Sequence, residues 1–346
     1  MSTPKFSIVI PIYNAEQEIE SLLNNLMAIR YENYEVILVN DGSIDSSRTL
    51  IEKKIWFDSR YKLFNKENEG PGPARNYGIS KADGQYLLFF DSDDRPSKSI
   101  LEDYDNIIRN NSSIDLIISS FTFDTLNKGK LVSTKSFLID EYLYLGQDEF
   151  KNAIYDLMNK QFMYVVWNKC YRREIIVKND LKFKSYRSCE DRIFNLEYFK
   201  YCEIVKLNSL VEYSYHFDGT KGITNSYYEN KFDTFKDFYV LANKVTEYKD
   251  EKGMASLLLK GTLSVLFSIL KTNKINRNQK KEEISGILND QSFLQAKKIA
   301  ETGTVAKKIT KLLFNCPKVI LIPALKLGAI LEDRAPNLVT ILKKRY

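Results

Sequence analysis

Over its first hundred residues the chain switches repeatedly between two hydrophobic periods. Lys5–Ile12 (KFSIVIPI), Tyr34–Asn40 (YEVILVN), Tyr61–Lys66 and Gly84–Phe90 (GQYLLFF) are short runs rich in β-branched and aromatic residues, the composition of strands covered on both faces. Between them, Glu16–Ile29 sets Ile19, Leu22, Leu23 and Leu26 on one helical stripe, and Ser43–Phe57 and Pro73–Ser80 also read as helices. This alternation predicts an α/β fold with a mostly parallel, Rossmann-like sheet flanked by helices. In such sheets ligands bind in the crevice beyond the carboxyl ends of the strands. The residues that fall there are Tyr13-Asn14, Asp41-Gly42-Ser43 and Asp91-Ser92-Asp93-Asp94.

From Ile114 the pattern is mixed. Leu116–Phe123 predicts a strand that turns through Asn127-Lys128-Gly129 into Lys130–Thr134, Gln147–Asn159 reads as a helix and Val165–Tyr171 as extended chain. Another helix begins near Cys189, and Val211–Phe217 is an alternating aromatic strand. Beyond Tyr228 only helical patterns remain, near Lys231–Tyr248, Met254–Lys271, Arg277–Leu288 and Thr304–Asn315. The 346 residues therefore divide into an expected α/β domain at 1–228 and a helical C-terminal region at 229–346.

Composition and charge narrow the setting. With 44% hydrophobic and 28% charged residues the chain can bury a core, which excludes a disordered protein. Cys170, Cys189, Cys202 and Cys316 form neither a C-x-x-C pair nor a zinc spacing, and Met1–Asn14 lacks a secretory cleavage pattern, so a cytoplasmic protein is expected. Residues 305–346 hold nine Lys/Arg against two acids, a charge of +7, whereas the whole chain carries +6. The basic tail also carries an apolar stripe, Val305, Ile309, Leu312, Leu313, Cys316 and Ile320, flanked by Lys307, Lys308, Lys311 and Lys318. That pattern predicts a helix lying at an anionic membrane surface, with no nucleic-acid partner; docking on the first domain or homo-oligomer formation are the alternatives. The later apolar run Val319–Leu331, interrupted by Pro323 and Lys326, is shorter than the roughly 20 residues a bilayer span needs.

Three clusters carry candidate chemistry. Asp91 and Asp93 leave the fourth strand as alternate carboxylates in a tight turn, suited to a hard cation such as Mn²⁺ or Mg²⁺ that also takes phosphate oxygens; capping of the next helix is the plainer reading of Ser92-Asp93-Asp94. Asp41-Gly42-Ser43 can accept hydrogen bonds from a base or ribose, or form an ordinary turn. Gly70-Pro71-Gly72-Pro73-Ala74-Arg75-Asn76 matches no P-loop or dinucleotide spacing, and its Arg75 faces either an anionic substrate or a surface acid.

In order along the chain, Ser7-Ile8-Val9-Ile10-Pro11-Ile12-Tyr13-Asn14, Val39-Asn40-Asp41-Gly42-Ser43-Ile44-Asp45, Gly70 to Gly78, Phe89-Phe90-Asp91-Ser92-Asp93-Asp94, Trp167 to Glu174 and Glu190-Asp191 together resemble the inverting glycosyltransferases of family 2, over about residues 5–225. The resemblance implies a GT-A fold and transfer of a sugar, with inversion, from a nucleotide-sugar, expected to be UDP-linked, to a hydroxyl of a cell-surface glycan or lipid-linked acceptor. It implies a nucleotide pocket at Pro11, Tyr13, Asn14, Asp41 and Arg75, donor binding at Asp91, Ser92 and Asp93 with Asp91 and Asp93 as the metal motif, and Asp191 as catalytic base. Inverting displacement needs a base on the acceptor hydroxyl opposite the leaving group, which fits a carboxylate from a separate segment. His216, the only histidine, is a candidate metal or diphosphate ligand or a packed strand residue; Lys221, Thr224 and Ser226 are candidate phosphate contacts, and Trp167 and Tyr171 are candidate linings of the acceptor or sugar pocket or, the default for aromatics near a core strand, packing residues. A sugar nucleotidyltransferase, which would carry a glycine-rich triphosphate loop near the N-terminus, and a non-catalytic glycan-binding or assembly protein are the rival readings.

Overall fold

The computed structural model describes residues 3–111, 113–127, 129–218 and 227–334. The chain divides into two compact units, residues 1–221 and 222–346. The first opens with β1 (Phe6–Ile12), α1 (Ile19–Met27), β2 (Tyr34–Asp41), α2 (Ser47–Ile55), β3 (Tyr61–Lys66), α3 (Pro71–Lys81) and β4 (Tyr86–Phe89). These strands pair in parallel: Ile8 lies between Val36 and Leu88, and Leu38 faces Leu63. Helices cover both faces, so the central strands are apolar without alternation, and Ile8, Val9, Ile10, Val36, Ile37 and Leu38 are fully buried. α3 lies so close to the sheet that a Cβ on Gly78 would stand 2.3 Å from Val9 Cγ1, which requires glycine there.

β5 (Arg95–Pro96), α4 (Ile100–Asn110), β6 (Leu116–Asn127), β7 (Lys130–Phe137), β8 (Tyr142–Leu145), α5 (Gln147–Asn159), β9 (Lys169–Arg172), α6 (Arg173–Lys178), α7 (Glu190–Phe199) and β10 (Ile204–Asp218) complete the unit. One sheet results, in the order β3-β2-β1-β4-β9-β6-β10-β5, with β7 added to β6 and β8 to β10. β9 runs antiparallel to both β4 and β6, while β6 and β10 are parallel. The first half is thus the expected nucleotide-binding sheet, and the second half folds β10 back so that its end meets the loop leaving β4.

In the second unit, α8 (Lys231–Val245), α9 (Glu251–Lys271), α10 (Arg277–Asn289), α11 (Gln291–Ile299), α12 (Val305–Asn315) and α13 (Lys318–Arg334) form a bundle around α9. Among the described residues α9 alone is long and apolar enough to cross a membrane. It is the core helix here, with Met254, Leu258, Leu259, Val265, Leu266 and Ile269 buried. Helix starts follow side-chain caps: Asn276 forms a capping box with Gln279, Asp290 accepts from Ser292 and Phe293, and Thr304 accepts from Lys307. α13 continues through Pro323, so the proline does not divide the apolar run as expected. The flanking lysines of α12 are also corrected: Lys307 is buried against Glu301, and Lys311 Nζ donates to the carbonyls of Lys298 and Ala300, because the helix buries its Ala306-Thr310-Phe314 face.

Candidate active site

Two loops leaving the sheet lace together at the expected crevice. Asn14, in the left-handed region at φ 48°, donates its N–H to Ser43 Oγ (3.0 Å) and accepts from the Ile44 N–H (3.0 Å), and Glu16 N–H donates to Asp45 Oδ2 (3.1 Å). Tyr13 remains half exposed beside them, a ring available for stacking, and Pro11 lies in β1 just before it. Asp41 is buried and engaged by the protein itself. Its Oδ1 accepts from Lys66 Nζ (2.8 Å) and Glu69 N–H (3.1 Å), and its Oδ2 from Gly70 N–H (2.8 Å). It therefore fixes the loop that starts α3. Gly42 beside it is held at φ +71°, where a Cβ would stand 2.8 Å from the Asn68 nitrogen.

The acids of the β4 loop and of α7 meet on one guanidinium. Buried Arg75, on α3, donates from Nη2 to Asp91 Oδ1 (2.8 Å) and from Nη1 to Asp191 Oδ1 (2.9 Å) and Glu190 Oε1 (3.2 Å), with its Cζ 5.4 Å over the Phe183 ring. Residues separated by more than a hundred positions thus share one site. The sequence contains no periodicity that could have placed Arg75 there; it pairs with acids of the protein, as the second of its two readings had it, but these belong to a largely buried cluster and not to the surface. One positive charge faces three carboxylates, and the imbalance is visible in the titration of Asp191. Burial, opposed by Arg75 and reinforced by Glu190 and Asp91, pushes Asp191 up to about 7. Asp93 keeps contact with solvent in the crevice, yet the protein crowded around it and the Asp91 charge push it up to about 6. Asp94 is buried with Oδ2 lacking a hydrogen-bond partner, and burial followed by the charges of Asp91 and Asp93 raises it well above the carboxylate range. Ser92 lies between the two aspartates, partly exposed.

This surplus of negative charge and the orphaned oxygen fit a hard divalent cation, which Asp91 and Asp93 would hold. His216 does not join them. Strand pairing sets it opposite Asp124, with Nε2 3.7 Å from Asp124 Oδ2, while its main-chain N–H donates to Asp94 Oδ1 (2.9 Å). Burial, followed by the Arg95 charge, holds its imidazole below the ordinary value. Among the described residues no three His, Cys, Asp or Glu side chains gather as a metal-binding group.

Of their two readings, Trp167 and Tyr171 take the packing one. Trp167 stacks on Tyr213 (4.8 Å) and Tyr215 (5.5 Å), and fully buried Tyr171 donates to Asn195 Oδ1 (2.6 Å). Lys221, Thr224 and Ser226 lie outside the described residues. Two site residues escaped the sequence reading. Tyr215 has its phenol raised by burial and by Asp94, Asp91, Asp93 and Asp191, which places it in the field of the whole acidic cluster. The period of two through Tyr213, Tyr215 and Phe217 was the available signal. Lys169 is buried in β9, donates to the carbonyls of Phe162 (2.7 Å) and Val165 (2.6 Å) and to Asn168 Oδ1 (2.8 Å), and its charge reaches Asp191; its place within Trp167 to Glu174 was the available signal.

A parallel nucleotide-type sheet, an aspartate pair at the end of its fourth strand and a separate carboxylate facing them define a GT-A glycosyltransferase. Comparison with known proteins agrees. The family model described as Glycosyl transferase family 2 matches residues 7–178, about half of the chain, and this protein belongs to that family. Similar proteins include the uncharacterized glycosyltransferase EpsJ of Bacillus subtilis (strain 168), 30% identical over 205 residues that make up 59% of this chain and 58% of that one. Another is the poly(ribitol-phosphate) beta-N-acetylglucosaminyltransferase TarP of Staphylococcus aureus (strain N315), 27% identical over 301 residues, 83% of this chain and 86% of that one. Among solved structures, residues 1–349 of S. aureus TarS in complex with UDP-GlcNAc share the fold at TM-score 0.66 and 21% identity, over 95% of this chain and 91% of that one.

Proposed function

We propose that the enzyme transfers a sugar from a UDP-sugar to a hydroxyl of a cell-surface glycan or lipid-linked acceptor, with inversion, and that Mn²⁺ or Mg²⁺ bound at Asp91 and Asp93 assists. The observation that carries this reading is the arrangement around Arg75, which joins Asp91 of the donor loop to Asp191 of α7. On this reading a leaving-group site at Asp91 and a base at Asp191 would share one guanidinium, each bonded to a different terminal nitrogen. A cation at Asp91 and Asp93 would neutralise charge on the departing diphosphate. Asp191, pushed up to about 7, is a stronger base than an ordinary carboxylate and still ionised in good part at neutral pH, the range in which proton removal from an acceptor hydroxyl is efficient. Arg75 holds that carboxylate in position, and Tyr13 offers a face for the nucleotide base. A UDP donor is supported by TarS, whose structure holds UDP-GlcNAc. The four free thiols suit the reducing cytoplasm, where such donors would be met.

The test is UDP release from a panel of UDP-sugars with Mn²⁺ and glycan acceptors, comparing wild type with Asp191→Ala. The proposal expects turnover on at least one donor and a loss of about 10²–10⁴-fold in the variant, the usual contribution of a general base. Equal turnover by both proteins would remove Asp191 from the mechanism. Nucleotide binding with no turnover on any donor would instead favour a glycan-binding protein.

A further inference from the structure

α12 and α13 each turn one face inward and leave the other exposed among the described residues of this unit. α12 buries Ala306, Thr310 and Phe314, whose ring meets Phe293 of α11 edge-on at 5.0 Å, and α13 buries Leu321, Leu325 and Ala329. The opposite faces are also apolar. Val305, Ile309 and Leu312 follow one another at helical spacing with 66%, 50% and 68% of their surfaces exposed, and Val319, Ile320 and Leu327 of α13 are exposed at 84%, 56% and 59%. These side chains cannot turn inward, because the inward stripe of each helix is already packed. Lys308, Lys318 and Lys326 stand exposed among them. α12 and α13 together contain five lysines and Arg334 against Glu332 and Asp333, both at the C-terminal end of α13.

We infer that this outward face docks on an anionic lipid bilayer. Charge selects the occupant. A second copy presenting the same face would set Lys308, Lys318 and Lys326 against one another, with the acids of the two helices confined to Glu332 and Asp333 at the end of α13, which opposes self-association. A bilayer carrying anionic headgroups takes both features, its acyl boundary receiving the apolar side chains and its phosphates the lysines. α12 has 11 residues and α13 has 17, each short of the roughly 20 a membrane span needs, so both would lie in the interface. The inference stands apart from the assignment of donor, base and cation: the face belongs to the helical unit and includes no residue of the acidic cluster.

The experiment is co-sedimentation of the full chain with phosphatidylcholine vesicles, with and without about one-third phosphatidylglycerol, at low and high salt. Binding is expected to be at least about tenfold tighter on the anionic vesicles and to weaken with salt; each exposed lysine near such a surface contributes about fivefold, so Lys308→Glu/Lys318→Glu/Lys326→Glu should lose at least about 100-fold. Leu312→Ser/Val319→Ser/Leu327→Ser should also lose binding. Both triple variants should keep the wild-type circular dichroism and nucleotide release on a water-soluble acceptor, since they alter exposed positions only. No binding to anionic vesicles, equal binding to neutral ones, or a concentration-dependent oligomer in sedimentation equilibrium that the serine variant abolishes would each overturn the inference, the last by assigning the face to a second copy.

Discussion

Replacing Asp191 by asparagine should change how the stability of the first unit depends on pH. In the folded chain Asp191 is raised to about 7 by burial, while in the unfolded chain it ionises near about 3.9. Between those values the native state keeps a proton that the unfolded state has released, so stability falls as pH rises through the window and is flat above it. From about pH 5 to about pH 8 the loss attributable to this group is about 3 kcal/mol, two pH units of proton linkage at 1.36 kcal/mol each. The asparagine variant has no such group, so its stability relative to wild type should rise by about that amount over the same interval. Trp56 and Trp167, the only tryptophans, both belong to the first unit, so their fluorescence in urea titrations at several pH values reports that unit alone. If the two stability profiles run parallel within about 0.5 kcal/mol, the Asp191 carboxylate is not strained by its surroundings and the argument for a base poised near neutrality fails.

Removal of the central cation should be costly in the opposite sense. Arg75→Met leaves Asp91, Glu190 and Asp191 facing one another, and urea unfolding at neutral pH should report a loss of about 3–5 kcal/mol that shrinks in acid as the carboxylates take up protons. Tyr215→Phe keeps the ring that stacks on Trp167 and deletes only the hydroxyl in the acidic field, so transfer should fall about 10–100-fold with the unfolding midpoint unchanged. A midpoint shift without a rate change would make Tyr215 a packing residue only.

The nucleotide-binding half of the sheet was legible because its strands are buried on both faces. Such strands leave unbroken apolar runs, and the polar residues that follow each run mark the crevice, as at Tyr13-Asn14, Asp41 and Asp91. What those residues touch was less legible. Asp41, read as a nucleotide contact or part of an ordinary turn, is engaged by Lys66 and two main-chain N–H groups, while Trp167 and Tyr171, read as pocket aromatics or packing, lie in the core. In each case the chemistry of a side chain was readable and its partner was not: Asp41 is met by the end of β3 and the loop before α3, Trp167 by β10 and Tyr171 by α7, all brought in by the fold rather than by neighbouring sequence. His216 illustrates the same limit: its register opposite Asp124 depends on the β6–β10 pairing, which local periodicity does not encode. In the helical unit, the stripe on α12 was recognised from its spacing. Which lysines point outward depended on Glu301 and on the carbonyls ending α11, which draw Lys307 and Lys311 inward.

Calorimetric titration of UDP into the protein, with and without Mn²⁺, for wild type and Asp91→Asn/Asp93→Asn, addresses the donor site most directly. Two carboxylates that share a cation with a diphosphate predict that Mn²⁺ tightens UDP binding by at least about tenfold in wild type and by less than about twofold in the double variant. An equal Mn²⁺ effect in both proteins would contradict the assignment of Asp91 and Asp93 and, with it, the proposed route by which the leaving group departs.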